Sequence, residues 1–308
     1  MSTEKNTGTP EFQGIIPIDK PCGMTSHDVV FKMRKLYGTK KTGHTGTLDP
    51  MATGVLVVLI GRAAKAAEYL TYDSKTYKTT LRLGITTDTE DTSGTVLSVS
   101  DEIPDCGEVF RVISSFEGDI MQTPPMYSAL KVNGEKLVDL ARRGIEVERE
   151  SRQVHIDKIT AEYIGNNDYS LEVTCSKGTY IRTLCADIGK KLGCGGVMAS
   201  LRRTVCGEFS LDKAYTLEQL EEMTYEERLS ILYPTEDVFA SYPVCTLDGF
   251  MLKLCRDGAE IYQNKIKTSF PDGSYVRLYD KDGFFALGKV SEFETGSAIK
   301  PVKVFRLK

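Results

Sequence analysis

The sequence is poor in the residues on which metal and disulfide chemistry depend. Its 308 residues hold three histidines, His27, His44 and His155, too few and too scattered to suggest a metal site. The eight cysteines form no CxxC pair, and the closest two, Cys185 and Cys194, are nine residues apart. No zinc spacing results, and no metal is expected. In a cytosolic chain such thiols are expected to be reduced and mostly buried. Long apolar runs are also missing. The longest, Val55–Ile60, has the length of a strand, whereas a membrane helix needs about 20 apolar residues. Met1–Gln13 is polar, carries both signs of charge and has no apolar h-region. It reads as a disordered tail rather than a secretory signal, which points to a cytoplasmic chain.

What is present is globular: 41% hydrophobic and 27% charged residues, enough for one large domain or a medium and a small one. The net charge is −4, but its distribution is uneven. Residues 31–65 hold Lys32, Arg34, Lys35, Lys40, Lys41, Arg62 and Lys65 against one acid, Asp49. Residues 241–308 hold eleven Lys/Arg against eight Asp/Glu. A lone carboxylate in the most basic stretch is either a turn residue on a solvated face or the reactive centre of an anion-binding surface.

Patterning places the elements. Ile15–Ile18 is a short apolar stretch ending at the Asp19-Lys20-Pro21 turn. Ser26 is the expected cap of a helix with Val29, Val30, Met33, Leu36 and Tyr37 on one face. Lys40–Pro50 reads as a loop, Val55–Ile60 as a buried strand, Arg62–Leu70 as a helix and Thr76–Ile85 as an alternating strand. Thr86–Gly94 reads as an acidic polar loop, Pro104–Phe116 as a helix, Met121–Gly134 as irregular and Glu135–Arg143 as a helix. Val154–Ile164 and Tyr169–Cys175 pair through Gly165-Asn166-Asn167, and Tyr180–Leu192 is a helix stopped by Gly193. Two acidic helices follow, Leu217–Met223 and Tyr225–Leu232, then a linker at Tyr242-Pro243. From Asp248 onward, strands at Tyr275–Tyr279, Phe284–Val290 and Lys303–Leu307, with Asp-Gly turns, predict a small β-rich second domain. The irregular mixture of strands and helices predicts an α+β class.

Two segments carry chemistry. In Gly43-His44-Thr45-Gly46-Thr47-Leu48-Asp49-Pro50, glycines allow close backbone approach, and His, Thr and N–H groups can donate to phosphate or sugar. Pro50 holds Asp49 extended. Beside Lys40 and Lys41 the carboxylate is expected to stay ionised, able to act as nucleophile, base or metal ligand. No second carboxylate is near in sequence, which argues against a glycosidase pair. In Ser176-Lys177-Gly178-Thr179-Tyr180-Ile181-Arg182-Thr183, Arg182 falls in the first turn of a helix, against the macrodipole. It is either a surface arginine or the partner of a carboxylate elsewhere. Tyr77, at the start of a strand, is a half-buried strand residue or a ring presented to a base.

These segments occur together with Gly14–Val30, Lys75-Thr76-Tyr77, Gln122–Lys131 and Leu201-Arg202-Arg203-Thr204. In this order and spacing the chain resembles the bacterial TruB family of tRNA pseudouridine(55) synthases over Gly14 to Leu211. It departs from the family pattern at Thr42, Ala64, Val138 and Gly196-Val197, none of them a catalytic position. The resemblance implies an isomerase that turns uridine 55 of the TΨC loop into pseudouridine by base flipping, with no cofactor. It implies a mainly antiparallel sheet with flanking helices over 14–240, an RNA-contacting insertion at 118–150, and a PUA-like RNA-binding domain at 248–308. Asp49 matches the catalytic aspartate, Tyr77 the stacking tyrosine and Arg182 the arginine paired with the aspartate. His44, Lys20, Tyr180 and Leu201 match substrate-binding positions. The implied partner is the T-arm and elbow of tRNA, with no membrane, no obligate protein partner and a monomeric enzyme. A guide-RNA-dependent relative and a non-catalytic RNA-binding module are the competing readings.

Overall fold

A computed structural model describes residues 13–306 except 71–73 and 133. The tail expected over 1–13 therefore lies almost wholly outside the described residues. The chain begins with β1 (Gly14–Lys20), α1 (Ser26–Leu36), β2 (Thr42–Thr45), β3 (Thr53–Ile60) and β4 (Ser74–Leu83). It continues with β5 (Ile85–Thr87), β6 (Val96–Val99), α2 (Cys106–Ser114), β7 (Gly118–Gln122), β8 (Lys131–Val132), β9 (Glu135–Lys136) and α3 (Leu137–Arg142). Then come β10 (Arg152–Gly165), β11 (Asp168–Ser176), α4 (Ile181–Leu192), β12 (Gly196–Cys206), β13 (Phe209–Ser210), α5 (Leu217–Glu222) and α6 (Tyr225–Ser230).

Among the described residues nine strands make one sheet, with the order β1-β3-β12-β4-β11-β10-β7; β2 pairs with β3 and β13 with β12. All pairs are antiparallel except the short parallel contact of β12 with β3. The apolar run of β3 is continuous because both of its faces are covered. Leu56, Val58 and Ile60 face a core shared with helices α1, α2, α4 and α5, while Val55, Val57 and Leu59 face the other side. Where β3 meets β12, Gly54 has φ +101, and a Cβ there would lie 2.1 Å from the Arg203 carbonyl oxygen. Only glycine permits that approach. The β10–β11 hairpin closes through Asn166 and Asn167, both at positive φ, as a tight hairpin turn demands.

The second domain holds β14 (Val244–Thr246), α7 (Gly249–Arg256), β15 (Ile261–Tyr262), β16 (Tyr275–Asp280), β17 (Gly283–Phe293) and β18 (Gly296–Val304). Its strands form a sheet of order β14-β16-β17-β18-β15. It does not hang on a linker at Tyr242-Pro243. Phe284, Leu287 and Phe305 join Phe239, Ile15, Val55, Val57 and Leu59 in one buried cluster on the back of the main sheet.

Several expectations need correction. The helix expected over Arg62–Leu70 is a short 3₁₀ turn, Gly61–Ala66, with i→i+3 bonds continuing at Ala67 and Tyr69. The irregular stretch 121–134 contains the end of β7 and the β8 strand, and α3 begins at Leu137 rather than Glu135. The third C-terminal strand runs Gly296–Val304, not from Lys303, and α7 was not foreseen. The helix cap is Thr25, not Ser26, because Thr25 and Asp28 close a reciprocal capping box. Two of the eight cysteines, Cys22 and Cys106, are exposed; all eight are free thiols.

Candidate active site

The two informative loops meet at the end of the sheet. A cleft of about 670 Å³ is lined by His44–Asp49, Tyr77, Tyr127–Leu130, Arg152, Lys177–Arg182, Leu201 and Arg203, among others. Asp49 stands between two clamped neighbours. The hydroxyl of Ser26, displaced from its expected capping role, accepts from the Leu48 N–H (2.9 Å) and donates to the Leu48 carbonyl (3.1 Å). On the other side the Pro50 carbonyl accepts from the Gly23 N–H (2.8 Å) and from Lys20 Nζ (3.3 Å). The corner Lys20–Gly23 and the start of α1 thus hold the Asp49 backbone from both directions.

Arg182, buried at the start of α4, points its guanidinium at that carboxylate. Its Nε lies 3.1 Å from Asp49 Oδ2. Its Nη2 donates to the Tyr127 carbonyl (2.7 Å) and its Nη1 to the Thr89 carbonyl (3.2 Å). The same Nη1 is 3.8 Å from Asp91 Oδ2. The other oxygen of Asp91 accepts from Thr89 Oγ1, Ser93 N and Ser93 Oγ, so the acidic loop is firmly knotted. Asp49 keeps 38% of its side chain exposed, facing the cleft. Burial nonetheless raises its pKa above the ordinary carboxylate value. Arg182 opposes that rise most strongly and Lys20 adds to it, while the nearby Asp91 reinforces the rise. Lys40 and Lys41, the cations expected to hold Asp49 ionised, are exposed and are not among the groups that set its charge.

Tyr77 sits inside β4 rather than at its start, buried with only 7% exposure at the wall of the cleft. Across the sheet it faces Arg203 of β12. Burial pushes the phenol pKa up, and the hydrogen-bonded guanidinium of Arg203 pulls it back. Arg203 is itself buried, donating to the carbonyls of Val55 (2.7 Å) and Gly46 (2.8 Å). It therefore ties β3, the Asp49 loop and Tyr77 together. His44 lies on β2, not in a loop, and lines the cleft. Burial and the nearby Arg203 lower its pKa, which favours the neutral ring, and its Nδ1 has no partner among the described residues.

Tyr180 forms the N-cap of α4 without a side-chain cap. The buried amide of Gln122 instead holds the backbone of the cap residue: its Oε1 accepts from the Tyr180 N–H (2.8 Å) and its Nε2 donates to the Tyr180 carbonyl (3.0 Å). The Tyr180 ring stacks with Arg152, whose guanidinium lies 5.2 Å from the ring centre. Leu201, on β12, lines the cleft with Tyr77 and Tyr180. Lys20 does not line it. Its Nζ is enclosed by the carbonyls of Pro21, Met24 and Pro50, and burial lowers its pKa. Among the described residues no group of three or more His, Cys, Asp or Glu is placed to hold a metal ion, and no helix is long and apolar enough to cross a membrane.

Residues 34–181 match the model of the N-terminal domain of TruB family pseudouridylate synthases, and residues 182–240 match that of the tRNA pseudouridylate synthase B C-terminal domain. The chain belongs to the TruB family of pseudouridylate synthases. It is 40% identical over 294 residues to tRNA pseudouridine synthase B of Clostridium tetani, covering 95% of this chain and 99% of that one. It is 43% identical over 298 residues to tRNA pseudouridine synthase B of Clostridioides difficile, covering 94% and 99%. Among solved structures it is similar to a Cbf5-Nop10-Gar1 complex, with a TM-score of 0.69 and 27% identity over 99% of this chain and 91% of that chain. The archaeal box H/ACA sRNP Nop10-Cbf5 complex gives 0.68 and 25% over 98% and 93%. The pseudouridine synthase fold with its small C-terminal β domain thus follows from both routes.

The boundary between the two TruB family models falls between Ile181 and Arg182, within the first turn of α4. The sheet ignores it, since β12 inserts between β3 and β4. Asp49 and Arg182 therefore come from the two sides of that boundary. Sequence reasoning missed Asp91, Arg203 and Gln122 as residues that shape the site. The Asp/Thr density of Thr86–Gly94 was a signal for Asp91, and the Arg-Arg pair in the fourth motif was one for Arg203.

Proposed function

We propose that this TruB-family enzyme acts on tRNA in the cytoplasm as a single chain and isomerises uridine 55 of the TΨC loop to pseudouridine. The observation that carries the proposal is the pairing of Asp49 with Arg182 at one end of a cleft, with the Tyr77 ring in its wall. The reaction breaks the N1–C1′ bond, turns the base and joins C5 to C1′; the C5 proton leaves to solvent and N1 takes up a proton in its place. The net change is redox-neutral, so no redox cofactor is required. The target base must first leave its stack, at an expense of a few kcal/mol that is smaller in an irregular loop. Stacking on an aromatic side chain such as Tyr77 returns about 1–3 kcal/mol.

In this reading Asp49 is the reacting carboxylate, and it must be ionised whether it attacks the nucleoside or removes the C2′ proton. Arg182 orients it and opposes its protonation. Tyr77 stacks on the base, and its hydroxyl is the candidate for transfer of the C5 proton. Neutral His44, Tyr180 and Leu201 hold the extruded nucleotides. Lys20 serves the substrate indirectly, by fixing the loop that carries Asp49. The insertion at 118–150 contributes Tyr127–Leu130, Lys136 and Val138 to the cleft wall, where RNA enters. The C-terminal β domain, over 248–308, adds a net positive surface for the tRNA backbone.

The fold neighbours raise a second reading, a subunit of a guide-RNA particle. Identity of 40–43% to bacterial tRNA pseudouridine synthase B, against 25–27% to Cbf5, favours the stand-alone enzyme. The purified chain should release tritium from a T-arm hairpin labelled at uridine C5, and Asp49→Asn should abolish release while still binding the RNA. Release by Asp49→Asn at near the wild-type rate would refute the catalytic assignment. Activity only in the presence of a guide RNA would support the second reading.

A further inference from the structure

Glu90 adopts φ +63, a left-handed conformation that a glutamate rarely takes without compensation. Among the described non-glycine residues only Asn166, Asn167 and Lys267 share a positive φ, and the two asparagines are accounted for by their hairpin turn. Glu90 lies instead in the longer β5–β6 connection, where its N–H closes a turn on the Thr87 carbonyl (3.4 Å). It sits between Thr89 and Asp91, the two residues of the acidic loop that face Arg182. Its carbonyl accepts from the Met198 N–H of β12 (3.0 Å), which docks the loop on the sheet. Its carboxylate accepts from the hydroxyl of Thr183 (2.6 Å), the residue after Arg182 on α4. Three consecutive loop residues thus grip two neighbouring helix residues.

We infer that Glu90 is a positioning residue for the reaction: its left-handed turn and its bond to Thr183 lock the Thr89 carbonyl and the Asp91 carboxylate onto Arg182, and so set the guanidinium against Asp49. The inference rests on the catalytic reading of Asp49 and Arg182. It follows from connectivity. An extended backbone at Glu90 would redirect the chain between the Thr89 carbonyl and the Asp91 side chain, so that the two would no longer converge on Arg182. Arg182 would then keep only the Tyr127 carbonyl and Asp49 as partners, and α4 would lose its lateral tie to the loop. Glu90 itself is surrounded by Arg182, Arg149 and Asp187, and Asp49 by Arg182, Lys20 and Asp91. Arg182 is the charge common to both.

The test uses the full chain and three variants. Glu90→Gly accepts the left-handed backbone without strain but deletes the bond. Thr183→Val removes the hydroxyl and keeps the shape. Glu90→Gln keeps an acceptor oxygen for Thr183. The first readout is the acid titration of the Asp49 carboxylate, followed by carbon-detected NMR, and it is independent of turnover. Loosening Arg182 should move that titration to higher pH in Glu90→Gly and Thr183→Val and leave it in place in Glu90→Gln. The second readout is tritium release, measured in single turnover with saturating enzyme for the rate and in multiple turnover over a range of T-arm RNA for KM. The first two variants should lose about 10- to 100-fold in rate, the scale expected of a misplaced catalytic group. KM should stay within about twofold, as for groups that act only at the transition state. The melting temperature of Glu90→Gly should not fall. An unmoved Asp49 titration in both deleting variants would overturn the inference, as would a loss confined to KM or to thermal stability. Wild-type protein that releases no tritium would instead sink the reading of function, and the titration would still decide the role of Glu90.

Discussion

One guanidinium serves two carboxylates: Arg182 Nε stands 3.1 Å from Asp49 Oδ2, and its Nη1 stands 3.8 Å from Asp91 Oδ2. The two acids pull the same cation, and each raises the energy of the other's charge. Burial already holds the Asp49 pKa above its ordinary value, with Arg182 as the main opposing influence. On the proposed catalytic role of Asp49 turnover requires the anion, so it should disappear as pH falls through that raised pKa. Arg182→Met removes the opposing cation, and its acid limb should move to higher pH. Asp91→Asn removes a like charge, and its acid limb should move the other way. Arg182→Lys should lose roughly 100-fold, since a point charge cannot reproduce the planar fork and small misplacements are costly. Single-turnover rates across the acidic range check all three. Coincident acid limbs would mean that Asp49 does not titrate under the control of Arg182.

The Asp49 loop should be held by Ser26 as much as by its own sequence. Ser26→Ala leaves the buried N–H and C=O of Leu48 without their hydroxyl partner. Unpaired buried groups of this kind cost about 1–3 kcal/mol. The variant should lose that much unfolding free energy and turn over more slowly, with RNA affinity unchanged because Ser26 does not line the cleft. Denaturant unfolding and single-turnover kinetics measure the two effects. A stability loss with a normal rate constant would show that the loop finds its geometry without Ser26.

The two loops that line the cleft were visible in the sequence, but the strand that joins them was not. Val55–Ile60, the β10–β11 hairpin and the Gly193 stop of α4 were legible because each depends on local chemistry: an apolar run, two adjacent asparagines, one glycine. The strand β12 was not assigned, although it lies between β3 and β4. Its sequence opens with Gly196 and carries Arg202 and Arg203, so it lacks the alternation of an ordinary strand. Its arginines are tolerated because each has partners far away in sequence: Asp19 and Thr53 for Arg202, Val55 and Gly46 for Arg203. Such partners cannot be read from periodicity. The misplaced helix cap was avoidable, since Thr25-Ser26-His27-Asp28 carries the capping-box pattern one residue earlier. The charge state of Asp49 was beyond reach, because desolvation depends on how the cleft closes around it.

Tyr77 separates binding from turnover. Tyr77→Phe keeps the ring in the cleft wall and deletes only the hydroxyl that bonds Arg203. RNA affinity should therefore persist while single-turnover release falls sharply. Tyr77→Ala deletes the stacking surface as well and should weaken binding by about 1–3 kcal/mol. Equilibrium filter binding set beside tritium release distinguishes them. If Tyr77→Phe keeps the full rate, the hydroxyl has no part in moving the C5 proton and only the ring matters.

The C-terminal domain should prove inseparable from the catalytic sheet. The back face of β3 presents Val55, Val57 and Leu59, and these are fully buried because Phe239 and the Phe284–Phe305 pair cover that side. Phe305 packs 5.6 Å from Phe239 and 5.4 Å from Phe284, centre to centre. A hydrogen bond from Lys65 Nζ to the Val304 carbonyl (3.0 Å) fastens the same seam at its edge. Phe305→Ala should destabilise the whole chain by about 3–5 kcal/mol, the usual effect of truncating a buried phenylalanine. Because the cluster spans both domains, unfolding should remain a single transition at lower temperature. A chain ending at residue 240 should expose the apolar face of the sheet and aggregate. Scanning calorimetry and size-exclusion chromatography decide the matter: a soluble truncated chain melting at the full-length temperature would mean that the two domains are independent units and that the shared cluster contributes little.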